Sequence, residues 1–429
     1  MIKTFEIQIN NNHKLYEWCD NVCFKGKNLY NFANYHIRQS WIAERRFLSY
    51  MDVYKLVSKS EPYYDFGHTS IAGQVLRDVY DVWKSYMSSL KSYKKSPSSF
   101  KSIPNMPRYK HKENGRFQVC YVLSGTAIPV NKHYKTTKVI NFLGKLKSSI
   151  NLPKILDDKN IKEIVVLKSV GCYSILFNYI EDVEIKELGF DKVASIDLGL
   201  SNLCTLTFND GNQPEIYSGK NIKTINQSYN KKLAYLKSRL SELDKKNSKQ
   251  ISKITRKRNN RIKDNTHKVT RTIVDRLVEN KTGVLIIGNN VGWKTDINIG
   301  KRNNQNFVSI PHYKIIQQLR YKFEEVGGRV ILNEESYTSK ASFLDMDFIP
   351  TYGIKSELPI KFSGRRIGRL YTRSNGMIIN ADVNASYNIM RKADPNAVRT
   401  GNLGGLKVNP LVVNVNLSTK NDTNLQNVA

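Results

Sequence analysis

From Lys192 onward the chain repeats one texture: short apolar runs, VASIDLGL, CTLTF, VLIIG and RVILNEE, separated by stretches with helical spacing. That alternation is the pattern of a mixed α/β sheet. A long polar stretch interrupts it. Leu233, Leu236, Leu240 and Leu243 recur at intervals of three and four, and Ile262, Val269, Ile273 and Leu277 form a second stripe. The spacing predicts two antiparallel helices over 225–280, inside an α/β domain over 191–396.

The residues before Lys192 read differently. Ile2 to Ile9 alternates apolar and polar, the period of a half-buried strand. From Lys14 to about Leu90 the spacing is helical, carried by Trp18, Val22, Leu29, Phe32, Ile37 and Trp41 and later by Val75, Val79, Val82 and Tyr86. Lys91 to Gly115 is rich in lysine, proline and tyrosine and predicts an irregular basic loop. RFQVCYVL, then the hairpin EIVVLKS with CYSILFNYI, returns the chain to strands up to Asp182. Residues 1–12 and 98–190 thus predict a β-barrel with a helical insertion at 13–97. The Asn-rich, weakly patterned residues 397–429 predict a flexible tail.

With 429 residues the chain is long enough for two or three domains. Lys and Arg number 68 against 37 Asp and Glu, a net charge of +31 that implies a polyanionic partner rather than a small substrate. The five cysteines, Cys19, Cys23, Cys120, Cys172 and Cys204, lack zinc or disulfide spacing, and Cys19 and Cys23 read as helix core beside Trp18 and Val22. No apolar run reaches the roughly 20 residues of a membrane helix, and the first residues read as a strand, not a signal peptide. A soluble, cytoplasmic protein without a membrane partner is expected. The basic face KITRKRNNRIK reads equally as a phosphate contact or a solvated helix face. Trp83, Tyr86 and Tyr93 sit at helical spacing, and core packing explains them better than stacking on bases. Gly288, Gly292 and Trp293 lack the spacing of a phosphate loop, and His267, His312 and the other five histidines do not cluster.

Two carboxylates stand out. Asp197 ends the apolar run in SIDLGLSN, and Asp382 begins the helical pattern in NADVNASYNIMRK. Taken alone, Asp197 reads as a turn former and Asp382 as a helix N-cap. As a pair at strand and helix ends of an α/β segment in a basic protein, they match what a two-metal nuclease needs. Its Mg²⁺ ions take oxygen ligands and sit about 3.5–4 Å apart.

The ordered blocks ASIDLGLSN, VLIIGNNVGWK, NQNFVSIPHYKIIQQLRYK, EESYTSKASFLD and NADVNASYNI, spanning Lys192 to Lys392, resemble the RuvC domain of TnpB, the nuclease carried by many bacterial insertion sequences. QVLRDVYDVWKSYMSSLKSYKKSP and IPNMPRYK resemble its helical region and basic loop. The type V CRISPR effectors are relatives of that family. The resemblance implies an RNase H-like RuvC fold preceded by a wedge-like barrel with an inserted helical recognition domain. It also implies an RNA-guided DNA endonuclease that pairs a guide RNA from the transposon end with double-stranded target DNA beside a short flanking motif, using two Mg²⁺ ions.

In that family Asp197 is the first metal ligand and Asp382 the last. Most members end the strand matching VLIIG with the middle glutamate, whereas here Gly288, Asn289 and Asn290 stand there. One branch of TnpB, and the Fanzor proteins, relocate that glutamate to the next strand, which points to Glu335, with Glu334 the neighbouring alternative. The family's four-cysteine zinc ribbon has no counterpart: Ala341, Ser342, Asp345 and Asp347 occupy its region and no cysteine follows Cys204. No structural zinc is expected, the insert 343–377 should hold by packing alone, and Asp345 and Asp347 read as surface residues. Lys94, Lys95, Arg108 and Lys110 are candidate nucleic-acid contacts. If Glu335 does not replace the lost glutamate, the chain reads as an RNA-guided DNA-binding repressor. A DNA transposase is the third reading.

Overall fold

In the computed structural model, which describes residues 1–122, 130–131, 139–289, 300, 304–305, 308–354, 359–398, 406–415 and 423–427, the alternating start of the chain forms strand β1 (Ile2–Ile9). Four helices follow: α1 (Tyr16–Glu44), α2 (Tyr50–Val57), α3 (Glu61–Tyr64) and α4 (Thr69–Lys95). Then come β2 (Val119–Val122), β3 (Val130–Asn131), β4 (Val139–Phe142), β5 (Ser148–Asn151), β6 (Asn160–Ser169) and β7 (Cys172–Ile180). β1 returns across the helices to pair antiparallel with β7, Ile2 opposite Ile180 and Ile9 opposite Tyr173. The described strands make two sheets, ordered β1-β7-β6-β2 and β3-β4-β5, and no pairing joins them among the described residues.

The helices bury their apolar stripes on the larger sheet. Cys19, Val22, Cys23, Leu29 and Ile37 of α1 and Val75, Val79 and Trp83 of α4 share one core with Val119, Ile164, Val166, Ile175 and Phe177. Burial pushes the Cys19 thiol up to about 12 and the Cys23 thiol higher, as expected of core cysteines. A Cβ at Gly26 would lie 2.7 Å from Val119 Cγ2, so the bare glycine lets α1 approach β2. Trp83 is wholly buried and donates through Nε1 to Asn34 Oδ1 at 2.8 Å, which makes it core.

The basic loop begins later than the sequence predicts. Lys91–Lys95 form the last turn of α4 because nothing in them opposes a helix; the break comes at Ser96, whose conformation Pro97 restricts. Beyond it, an irregular strap lies along α1. Side chains of α1 hold its carbonyls: Lys27 Nζ donates to Lys112 O at 2.6 Å, Asn31 Nδ2 to Lys110 O at 2.9 Å and Arg38 to Pro107 O at 2.7 Å. These donors replace the ladder that a strand or helix would supply.

Residues 1–182 form one unit and 183–429 another. The second contains β8 (Gly189–Asp197), β9 (Asn202–Phe208), β10 (Glu215–Ser218), α5 (Lys220–Ser241), α6 (Lys249–Glu279), β11 (Thr282–Gly288), α7 (His312–Glu325), β12 (Arg329–Asn333), β13 (Arg365–Ile367), β14 (Leu370–Thr372), β15 (Ile378–Asn380), α8 (Ala381–Ala393), β16 (Leu411–Val415) and β17 (Thr423–Asn427). One seven-stranded sheet runs β12-β11-β8-β9-β10-β16-β17. β8, β9 and β10 form an antiparallel meander, and β11 and β12 add parallel to the other side of β8. This is the RNase H-like strand order that the resemblance implies. α6 and α7 cover one face with Ile262, Val269, Ile273, Ile315 and Leu319; α8 covers the other with Val383, Tyr387, Ile389 and Met390.

The tail differs from its reading as a flexible segment. Leu411–Val415 pairs parallel with β10, and Thr423–Asn427 pairs with it in turn. β10 would otherwise be an open sheet edge, and β16 satisfies its ladder groups. Residues 399–405 and 416–422, with Asn290, Gly292 and Trp293, lie outside the described residues. No helix among the described residues is long and apolar enough to cross a membrane.

Candidate active site

Strand alternation places the first carboxylate. Along β8, Ala194 and Ile196 join the core under α6 and α7, whereas Val193 and Ser195 face α8, where Ser195 Oγ donates to Ser386 O at 2.6 Å. Asp197 continues the α8-facing set at the carboxyl end of the strand. On neighbouring β11, Val284 and Ile286 face α8, and Gly288 continues that set. Ile287 pairs with Ile196, so the strands end together. Ligands of open α/β sheets bind beyond such carboxyl ends.

The two glutamates after β12 diverge. Glu334 turns to Lys392 of α8, with which it makes an ion pair, and accepts from Ser336 N at 2.7 Å. Glu335 turns toward Gly288: a Cβ at residue 288 would lie 2.2 Å from Glu335 Oε2, 3.2 Å from its Cδ and 2.7 Å from Ile389 Cδ1. The Glu335 carboxylate therefore occupies the space into which a side chain from position 288 would project.

Asp382 comes from the start of α8 but is not its N-cap. Asn380 is the cap; its Oδ1 accepts from Asp382 N at 3.0 Å and Val383 N at 3.2 Å, because Asn380 has the extended backbone that a cap needs. Asp382 sits in the first turn, where the helix dipole favours negative charge. Its Oδ2 accepts from Asn202 Nδ2 and its Oδ1 from Arg366, both at 2.7 Å. Nothing in the sequence marks either partner: Asn202 is one of the polar residues after Asp197 in ASIDLGLSN, and Arg366 looks no different from its neighbour Arg365.

The three acids share one field. Burial raises the Asp197 carboxyl well above the usual range, the charges of Asp382 and Glu335 raise it further, and Arg366 opposes them. Burial, then the charge of Glu334, pushes Glu335 up to about 7. Crowded carboxylates that resist ionisation are donors that a divalent cation would stabilise, and their oxygen chemistry fits Mg²⁺. No group of three or more His, Cys, Asp or Glu side chains is gathered for metal among the described residues, and both oxygens of Asp382 are engaged by protein. His312 closes the site loop from α7, with Nε2 3.2 Å from Gly199 O.

Asp345 and Asp347 are not free surface acids. Asp347 is buried and accepts from Ser342 N at 2.7 Å and Ser363 N at 2.9 Å, as well as from Ser363 Oγ. Asp345 takes Arg373 in a fork, which holds its carboxyl below the usual range. Arg391 of α8 donates to Asp347 O at 2.6 Å. Polar pairing therefore supplements packing in the insert. The sequence reading went astray because an isolated acid looks exposed until its partners, 16 and 28 residues away, are known.

Among the candidate nucleic-acid contacts, Lys94, Lys95 and Arg108 are exposed. Lys110 is half-buried, with its ammonium 4.9 Å from the Tyr30 ring centre and 5.7 Å from that of Phe117. On α6, Lys253, Lys257 and Arg261 are exposed, whereas Arg258 turns inward to Asn226 Oδ1 at 2.8 Å.

A family model described as a probable transposase, OrfB_IS605, matches residues 179–294, and a Cas12f1-like TNB domain matches residues 312–389. Among solved structures, the chain is similar to that of a Cas12f1–sgRNA–target DNA complex determined by cryo-EM, at 14% identity over 88% of this chain and 82% of that one, with a TM-score of 0.58. It is similar also to the mini-RNA-guided endonuclease CRISPR-Cas_phi3, at 12% identity over 92% of each chain, with a TM-score of 0.51. No curated protein matches. At these identities the structural likeness establishes the fold, and with the two family matches in order along the α/β unit it makes this chain a relative of the TnpB-like transposon proteins and the type V effectors.

Proposed function

We propose that this chain is an RNA-guided DNA endonuclease of a transposable element, cleaving target DNA beside a short flanking motif, with Asp197, Glu335 and Asp382 as the ligands of two Mg²⁺ ions. The observation that carries the reading is the exchange at the end of β11. Gly288 vacates the position where most of the family has a glutamate, and the Glu335 carboxylate fills that space from the adjoining strand. A glutamate without a role gains nothing from such burial, because ionised carboxylates lose hydration there.

Held by Asp197, Glu335 and Asp382, Mg²⁺ would supply water activation and charge stabilisation at the scissile phosphate. The chain supplies the rest. Asp197 would present its oxygens from the end of β8 and Glu335 from just beyond β12, on either side of Gly288 of β11, while the first turn of α8 supplies Asp382 and Asn202 orients its carboxylate. The partners are a guide RNA from the transposon end and double-stranded target DNA; the similar Cas12f1 was determined with sgRNA and target DNA. Guide pairing would select the sequence, while basic side chains such as Lys94, Lys95 and Arg108 grip backbone phosphates.

One observation favours a second reading, a guided DNA-binding protein that does not cut: Asp382 is held by Arg366 and Asn202 rather than left open. The test uses protein copurified with RNA from its own locus, a plasmid library with a randomised flanking motif, Mg²⁺, and the Glu335→Ala and Glu334→Ala variants. Cleavage lost in Glu335→Ala and kept in Glu334→Ala is the expected result. RNA-dependent binding without cleavage establishes the second reading, and strand joining without RNA a transposase.

A further inference from the structure

Arg366 stands on β13 of the small sheet β13-β14-β15, which belongs to the insert and not to the main sheet. It lies opposite Tyr371, its cross-strand partner, which is wholly buried, but its own side chain keeps 37% of its surface open to solvent. Its guanidinium donates to Asp382 Oδ1 at 2.7 Å and, through Nε, to Gly368 O at 3.1 Å, so the β13–β14 turn and the acid are tied by one side chain. The same turn is pinned again by Ala381 N, which donates to Arg369 O at 2.9 Å. A carboxylate oxygen that accepts a guanidinium at this distance has its charge already compensated, and a divalent cation approaching it meets a like charge.

We propose that Arg366 is an internal occupant of the cation position: it holds the β13–β14 hairpin down on Asp382 until the metal displaces it, so that metal loading and release of the insert are one event. The proposal rests on the reading of Asp197, Glu335 and Asp382 as metal ligands and goes beyond it by coupling that centre to the insert. Arg365 and Arg369 provide the internal comparison. They flank the same turn, carry the same charge and are exposed as Arg366 is, yet neither bonds to Asp382.

The experiment is Mn²⁺ binding to the full chain, followed by loss of the free-ion EPR signal, in the wild type, Arg366→Gln, Arg365→Gln and Arg369→Gln. Amide hydrogen exchange over residues 365–372 is measured with and without Mn²⁺. Removal of the competing cation should tighten Mn²⁺ binding by about fivefold or more in Arg366→Gln, the lower end of ordinary coupling between two sites. It should leave the other two near wild type. In the wild type, Mn²⁺ should speed exchange in the hairpin. Where Arg366→Gln misfolds, Arg366→Lys replaces it, keeping the charge but losing the fork, and the gain should be smaller. Equal affinity in wild type and Arg366→Gln, an equal gain in all three variants, or slower hairpin exchange with Mn²⁺ overturns the latch and leaves the metal site standing. No binding in any of the four proteins overturns the metal-ligand reading and the latch with it.

Discussion

Gly288→Ala is the sharpest perturbation of the candidate site, because it adds one methyl at a position where the consequences can be worked out. The new Cβ would lie 2.2 Å from Glu335 Oε2 and 2.7 Å from Ile389 Cδ1. Both are ends of flexible side chains, so they move before the strands do. Overpacking of this kind costs about 1–3 kcal/mol. In a unit of this size that is a fall in Tm of roughly 2–10 °C. The larger effect falls on function: Glu335 must retreat by about 1 Å to restore ordinary contact, and a displacement of that size can lower a reaction rate by about a hundredfold. Single-turnover plasmid cleavage by the RNA-loaded protein, with Mn²⁺ affinity and Tm as companions, reads all three consequences. The double variant Gly288→Glu/Glu335→Ala, which returns a carboxylate to the same space from the other strand, should recover part of the loss. Wild-type cleavage and Mn²⁺ affinity in Gly288→Ala would refute the reasoning, since the crowded carboxylate would then have no bearing on the chemistry.

Further consequences follow from the pairings around the site. Glu334→Gln should lower stability by about 1–2 kcal/mol through its weakened pairing to nearly buried Lys392, while retaining Mn²⁺ binding that Glu335→Gln loses; thermal denaturation and EPR separate the two. Asp347→Ala leaves the buried N–H of Ser342 without its acceptor, along with Ser363 N, and should cost about 2–4 kcal/mol, with hydrogen exchange rising first over residues 342–347. In the α6–α7 packing, burial lowers His267 to about 4 and Lys322 to about 8, each helped by neighbouring cations. Both folded values lie below the unfolded ones, so the unfolded chain binds more protons and stability rises with pH across each window. Stability should therefore fall on acidification from about pH 6.5 to 4 and rise from about pH 8 to 10.5. Thermal melts against pH should lose the acid limb in His267→Gln and the alkaline limb in Lys322→Met; unchanged slopes would sink the assignment.

Much of the α/β unit was legible because its signals are local. The continuous apolar runs of β8 and β11 mark strands buried on both faces, and the stripes of α5 and α6 mark the apolar face of each helix; both properties belong to the segment itself. Where a local signal was weak or misread, the expectation moved. The Lys-rich end of α4 reads as a loop by composition, but a helix already under way continues until Pro97 stops it. β16 has too short an apolar run to announce itself, and its pairing with β10 is what makes it a strand.

By itself, the sequence determined the basic charge that demands a polyanion, the succession of β8, β9, α5, α6, β11 and β12, the absence of a cysteine ribbon after Cys204, and the acids available for a site. Only the tertiary structure decided how those acids are used. It turned Glu334 to Lys392 and Glu335 to the space beside Gly288, gave Asp382 to Asn202 and Arg366, and buried Asp347 among serine donors. The physical reason is range. Periodicity follows from the backbone geometry of neighbouring residues, whereas the fate of a carboxylate depends on desolvation and on partners and charges brought to it from distant strands and helices, as Asn202 is brought to Asp382 across 180 residues.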